Sequence, residues 1–278
     1  MKVFFFIFFI FFFFDIESQT INNERKKQLN EINYFKSIKL KEAKTIVQGF
    51  SFNKTSGRLQ KIEALQLVNK YNKDGLLIEQ ESYNIETNTI SWKAIYKYEN
   101  NLLIKEYRYN ENGKINWSSQ IRYDKLNNKT QILCFTSDGK IDQKELYKYD
   151  TKGNLIELIF LNPDESVNWK YKYKYDNLGN KIEEVMYSSE NEIDESTSYI
   201  FDKKGNVLEK KVDNILRNTF KYNEAGNLIE EIGYDNRGKI NSKFNLIYNS
   251  QNLIIEKRQL NLKNNTFETA SKYVYDFF

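Results

Sequence analysis

The feature that most constrains the fold is an aromatic–turn signature that returns along the chain. Tyr171 to Tyr187 reads YKYKYDNLGNKIEEVMY, a strand, a tight turn and a second strand. Lys170, Lys172 and Lys174 alternate with Tyr171, Tyr173 and Tyr175, the period of a strand whose two faces meet different surroundings. Asp176-Asn177-Leu178-Gly179 follows, with Asp where a type I turn wants a side-chain acceptor and Gly where a left-handed residue closes the hairpin through a bulge. The aromatic that enters this turn recurs at Tyr71, Tyr98, Tyr123, Tyr149, Tyr175, Phe201, Tyr222, Tyr248 and Tyr275, in steps of 25 to 27 residues with one of 21. Six turns carry the glycine: Gly75, Gly153, Gly179, Gly205, Gly226 and, in the later YDNRG at Tyr234, Gly238. In YDKLN and YNSQN, Asn127 and Asn252 replace it, and Asn is the next residue able to hold that backbone. A second turn lies half a period on, in YNENGKI at Tyr109, FTSDGKI at Phe135 and YDNRGKI at Tyr234.

One repeat is therefore two strands and two turns. A fixed period of this length means units that bury their apolar faces only against neighbours. The expected fold is all-β: an elongated antiparallel meander of β-hairpins over residues 51–278, about eight to nine repeats of ~26 residues. It would form a single twisted or coiled sheet of on the order of 16–18 strands, about 80 Å wide at roughly 4.8 Å per strand. Sheets of that width must twist, coil or close. A lipid-facing barrel is disfavoured, because Glu183 and Glu184 point to opposite faces at mid-strand and hydrocarbon does not tolerate such charge repeatedly. The composition agrees, with 20 Tyr, 20 Phe and a single proline, Pro163, placed in a turn.

The N-terminus differs in kind. Met1-Lys2 precedes VFFFIFFIFFFF, which as a helix rises roughly 18 Å and falls short of a ~30 Å hydrocarbon core. A basic start followed by a short apolar run predicts a secretory signal helix over 1–18, cleaved after Ser18, with an uncleaved anchor as the alternative. The expected address is secreted or at the cell envelope, in the periplasm or at the cell surface, with no membrane span after cleavage. Residues 19–50 carry no clear repeat and are expected to be an irregular lead-in with a short helix or a disordered stretch. Strand-like patterning begins near Ile38.

Tyr-Asp-x-x-Gly-Asn-Leu-Ile-Glu, read at Tyr149 to Glu157 and nearly so at Tyr222 to Glu230, resembles the YD repeat of the RHS family. The resemblance covers about residues 52–278, with a period longer than the family's usual one. It implies a β-sheet strip able to coil into a shell; bacterial members enclose toxins, and related repeats occur at cell surfaces. The family's repeats supply no catalytic residues to carry across.

Little chemistry is on offer. The chain has no histidine and one cysteine, Cys134, which excludes Ser-His-Asp and Cys-His catalysis, histidine or thiolate zinc sites, and an internal disulfide. Cys134 reads as a small hydrophobe in a strand. The turn acids are too few per turn for a calcium cage, and no cofactor or metal is expected. The net charge of +4 comes from interleaved Lys and Glu without a basic cluster, so nucleic acid is not an expected partner. Paired carboxylates for glycoside hydrolysis are the least favoured function.

The candidate binding residues are aromatic: Trp92, Trp117 and Trp169, each six residues before a repeat tyrosine, with Tyr171 and Tyr173. Even spacing puts them on the tyrosine face near the second turn, with Gln143 between Trp117 and Trp169. They serve either as cover for the sheet or as a strip for sugar faces or an extended peptide. The expected function is an exported, non-enzymatic repeat scaffold that binds protein or glycan at or beyond a bacterial envelope, and a monomer suffices for it. A toxin-system accessory or immunity protein is the alternative.

Overall fold

The computed structural model describes residues 24–53, 58–262 and 265–278; the signal reading of 1–18 lies outside them. A helix, Glu24–Ser37 (α1), precedes all the strands. The first six are Leu40–Asn53 (β1), Arg58–Tyr71 (β2), Leu77–Tyr83 (β3), Ile90–Glu99 (β4), Leu102–Asn110 (β5) and Ile115–Tyr123 (β6). Next come Lys129–Thr136 (β7), Ile141–Tyr149 (β8), Leu155–Leu161 (β9), Val167–Tyr175 (β10), Lys181–Tyr187 (β11) and Ile193–Phe201 (β12). The last six are Val207–Val212 (β13), Ile215–Tyr222 (β14), Leu228–Tyr234 (β15), Ile240–Tyr248 (β16), Ile254–Asn261 (β17) and Thr266–Phe277 (β18).

Each hairpin is built by its turn. At Asp176 the backbone N–H donates to the Asn180 carbonyl at 2.9 Å, and the Gly179 N–H donates to the Asp176 carbonyl at 3.1 Å. One carboxylate oxygen of Asp176 accepts from the N–H groups of Leu178 and Asn180, both at 2.9 Å. The other accepts from the Asn180 side-chain amide at 2.8 Å. The same double clamp recurs at Asp124–Asn128, Asp150–Asn154 and Asp202–Asn206. The closing residue is left-handed throughout: Gly179 at φ 86°, and Asn127 and Asn252 at 61° and 57° where Gly is missing. The ladder then slips by one residue, as Lys174 pairs with Glu183 but Tyr175 with Lys181, which leaves Ile182 as a bulge.

The meander does not stay open. β1 pairs with β2 along one edge and with β18 along the other, so the sheet closes into an 18-stranded barrel. This corrects the expectation of a single twisted or coiled sheet. The closing strand starts in the segment expected to be an irregular lead-in, where the strand-like pattern from Ile38 named no partner; β1 runs from Leu40 to Asn53. Closure satisfies the unpaired backbone groups that two edges would otherwise present.

Closure gives the sheet an inside and an outside. The register puts the repeat tyrosines on the same face as Asn69, Gln80, Glu106, Ser119, Glu145 and Thr197, all 5% exposed or less. That crowded face is the interior. The outer face carries rows of ion pairs at mid-strand: Lys93–Glu79 at 2.6 Å, Lys148–Glu157 at 2.5 Å and Lys243–Glu230 at 2.8 Å. Glu183 pairs outside with Lys174, and Glu184 inside with Lys181. Such an outer belt is unlike a lipid-facing band. Among the described residues no helix is long and apolar enough to cross a membrane.

Two devices tie the rim where the aromatic-led turns gather. First, Tyr98, Tyr123, Tyr175, Tyr248 and Tyr275 donate their hydroxyls to the carbonyls of Leu77, Leu103, Leu155, Leu228 and Ile254, at 2.5 to 2.8 Å. Each bond joins the end of one strand to the start of the strand before it, so adjacent hairpins are stitched at that rim. Second, α1 lies against the same rim. Phe35 is buried among Leu40, Ala43, Tyr71 and Leu77, with its ring 5.0 Å from that of Tyr71. Lys36 pairs with Asp74 at 3.1 Å, and Tyr34 donates to the Gln251 carbonyl across the rim.

Removing one stitch should be measurable. Tyr123→Phe is expected to lower unfolding stability by about 1 kcal/mol in urea titrations, the net worth of a typical hydrogen bond. A glycine comparison tests the helix dock. A Cβ on Gly113 (φ 71°) meets nothing within 4 Å, whereas one on Gly75 (φ 78°) would lie 2.3 Å from the Ile32 carbonyl oxygen. Gly113→Ala should cost roughly 1 kcal/mol, from left-handed strain alone. Gly75→Ala should cost clearly more and should expose α1 to proteolysis.

Candidate functional site

The tryptophans stand on the inner face, toward the rim opposite α1. Trp92 stands near the start of β4, opposite Ser82 on β3 and Asn110 on β5. Trp117 stands near the start of β6, opposite Arg108 on β5 and Thr136 on β7. Arg108 lies between the two indoles, its guanidinium carbon 5.1 Å from the centroid of Trp92 and 5.7 Å from that of Trp117. Its Nε donates to Glu106 Oε1 at 3.0 Å. Glu106 is 2% exposed, while the Arg108 side chain keeps 30% of its surface. Burial raises the Glu106 pKa, and Arg108 offsets part of that rise. The result is a cation held edge-on by a buried carboxylate and face-on by two rings, all fixed by strand register.

A second aromatic group sits on β9 and β10. Trp169 stacks on Phe160 with centroids 4.7 Å apart and an interplanar angle of 25°. Tyr171 meets Phe160 edge-on at 6.1 Å and stacks on Tyr173 at 6.3 Å and 16°. Lys181 reaches over the Tyr173 ring at 5.2 Å. Trp92, Trp117, Trp169, Tyr171 and Tyr173 are all half-buried.

Between the two groups lie Cys134, Gln143 and Glu145. Glu145 is 5% exposed and accepts from the Tyr147 hydroxyl at 2.5 Å and from Gln143 Nε2 at 3.4 Å. Burial raises its pKa against those hydrogen bonds and the charge of Lys129. Cys134 is 1% exposed, and burial, followed by Glu145, Asp142 and Glu106, pushes its thiol far up, so it is an inert packing residue. It packs with Leu103, Ile121 and Ile132 in a cluster that Trp117 edges.

The structure thus divides the five aromatic candidates into two groups, Trp92 with Trp117 and Trp169 with Tyr171 and Tyr173. Arg108, Glu106 and Phe160 were not among the candidates. Arg108 was findable in principle: once the turn after Tyr109 fixes the hairpin, the pairing of Tyr109 with Ile115 and one bulge place Arg108 opposite Trp117.

The Teneurin YD-shell family model matches residues 23–271, and the chain belongs to that family of YD/RHS-type repeats. No curated protein matches the sequence. Among solved structures the chain is similar to the TcdB2-TccC3 crystal structure, at 14% identity and TM-score 0.43, over 82% of this chain and 13% of that one. It is similar to a Photorhabdus luminescens Tc holotoxin pore, at 11% identity and TM-score 0.37, over 81% of this chain and 14% of that one. A porin-like protein from Bacteroides uniformis gives 8% identity and TM-score 0.45, over 85% of this chain and 98% of that one. The chain therefore spans about a seventh of the two Tc chains.

The buried carboxylates set a pH dependence. A carboxyl whose folded pKa is raised contributes stability that is fully present below the ordinary carboxylate range and lost as pH rises through the folded value. Glu145→Gln should therefore raise the urea midpoint relative to wild type at about pH 8, an advantage that fades near pH 4. Paired denaturation series at the two pH values check this.

Proposed function

We propose that this chain is an exported, non-enzymatic scaffold whose closed YD-repeat sheet holds a protein or glycan partner against the aromatic groups on its inner face. The observation that carries this reading is the placement of Trp92, Trp117 and Trp169, half-buried inside the barrel toward the rim opposite α1, with Tyr171 and Tyr173 continuing from Trp169 along the inner face of β10. Flat rings held at fixed steps present faces on which sugars or extended peptides stack at low entropic cost. The interior carboxylates support a role other than catalysis, since Glu106 is engaged by Arg108 and Glu145 by Tyr147. Membership of a shell-forming family supports a scaffold, and the apolar run from Val3 to Phe14 supports export to the envelope or beyond.

Intrinsic tryptophan fluorescence of the purified protein, titrated with a panel of oligosaccharides, peptidoglycan fragments and extended peptides, tests the reading. A saturable shift with one class of ligand is expected, weakened at least tenfold in Trp117→Ala or Trp169→Ala. No shift with any class would return the rings to packing alone.

A further inference from the structure

We propose that Trp92, Arg108 and Trp117 form a subsite for a carboxylate-bearing sugar unit, a uronate within an acidic polysaccharide. This rests on the reading that the inner face binds a glycan, and it names the ligand's chemistry.

The argument starts from the donors of one side chain. A guanidinium has five N–H donors in a fixed plane. Glu106 takes Nε, and among the described residues Arg108 makes no further hydrogen bond. The terminal fork of two amino groups is therefore free for an acceptor, on a side chain that keeps 30% of its surface in water. A planar fork of this kind matches a carboxylate with two parallel, charge-assisted hydrogen bonds.

The surroundings prepare that fork. The indoles of Trp92 and Trp117 restrict the guanidinium from both sides, so little side-chain entropy remains to be lost on binding. Glu106, 2% exposed, accepts from Nε and so fixes the orientation of the guanidinium plane. Glu106 also neutralises the arginine. Free anions in general are therefore held weakly, and a ligand gains only when it brings the carboxylate in the right plane together with something to stack.

The rings specify what stacks. Trp92 and Trp117 stand on strands two apart, roughly 9–10 Å at the usual strand spacing. Ser82, Asn110 and Thr136 flank them in register, with Asn110 Oδ1 and Thr136 Oγ1 also engaged within their own turns. A pyranose offers an apolar C–H face to an indole and an edge of hydroxyls to such neighbours. A uronate adds the carboxylate at the ring's edge, where the Arg108 fork lies between the two indoles. The Trp169 group has no arginine within it. A chain of sugars running between the two groups would therefore be read for charge at one end only.

Two probes that differ only in the carboxylate decide the matter: β-1,4-linked tetraglucuronate and cellotetraose, titrated against the full protein by tryptophan fluorescence. Tetraglucuronate should bind about ten- to a hundredfold more tightly than cellotetraose, the range expected for charge-assisted hydrogen bonds. Arg108→Lys, which keeps the charge and loses the planar fork, should bring tetraglucuronate down to the level of cellotetraose and leave cellotetraose unchanged. A measurement on wild-type protein removes any dependence on the variant's folding: tetraglucuronate should protect Arg108 from phenylglyoxal, read by peptide mass spectrometry. Equal affinity for the two sugars, or absence of protection at Arg108, overturns the subsite while the glycan reading stands. Failure of both sugars to bind overturns the subsite, and the glycan reading falls with it if the wider saccharide panel is also silent.

Discussion

The pairing of β1 with β18 is the contact on which the rest of the structure depends. Without it the chain is a ribbon with two solvated faces and two bare edges. With it, one face becomes an interior, and side chains that would sit comfortably in water are forced to find partners. Glu106 finds Arg108, Glu145 finds Tyr147, and Gln80 donates to Asn69 at 2.7 Å. The polar interior is thus a consequence of closure. Barrels of this strand number are too wide for apolar side chains alone to fill, and the compact apolar clusters here are local: one beneath α1, one around Cys134.

Stability is distributed accordingly. Each hairpin brings its own turn clamp and its own outer ion pairs, worth little singly because they are exposed. The tyrosine hydroxyl bonds join one hairpin to the next at a single rim, and α1 lies across part of the same rim. The opposite rim lies away from these stitches and from the helix. It is there that the rings of Trp92, Trp117 and Trp169 retain access to solvent, so the mechanically tied end and the candidate binding end are different ends of one barrel.

Much of this was legible in the residues. The turn aspartates, the left-handed glycines and the two asparagines that replace them follow from local stereochemistry, and local rules transfer directly from sequence to structure. The strand count followed from the period. The second role of the turn, in which Asn154 or Asn180 holds the free oxygen of the aspartate, was hidden because Asn after Gly reads as generic turn chemistry. Closure was hidden for a different reason. It is made by β1, whose sequence LKEAKTIVQGFSFN reads as a strand but names no partner, and long-range pairing leaves no mark at the spacing of a turn. The aromatic candidates fell on the expected face because period two is robust. Their separation into two groups around Arg108 and Phe160 depends on cross-strand neighbours, which the period-two pattern of a single strand does not name.

Closure carries a consequence for how such a chain changes over time. Strands in an open sheet can be gained or lost singly, because the ends are free. Here each hairpin adds its slip of register and its increment of twist to a ring whose last strand must meet its first in phase. Copy number is consequently a property of the whole ring. An antiparallel ring closes only on an even number of strands, so strands are gained or lost as whole hairpins, while the loops at the two rims can lengthen without disturbing closure.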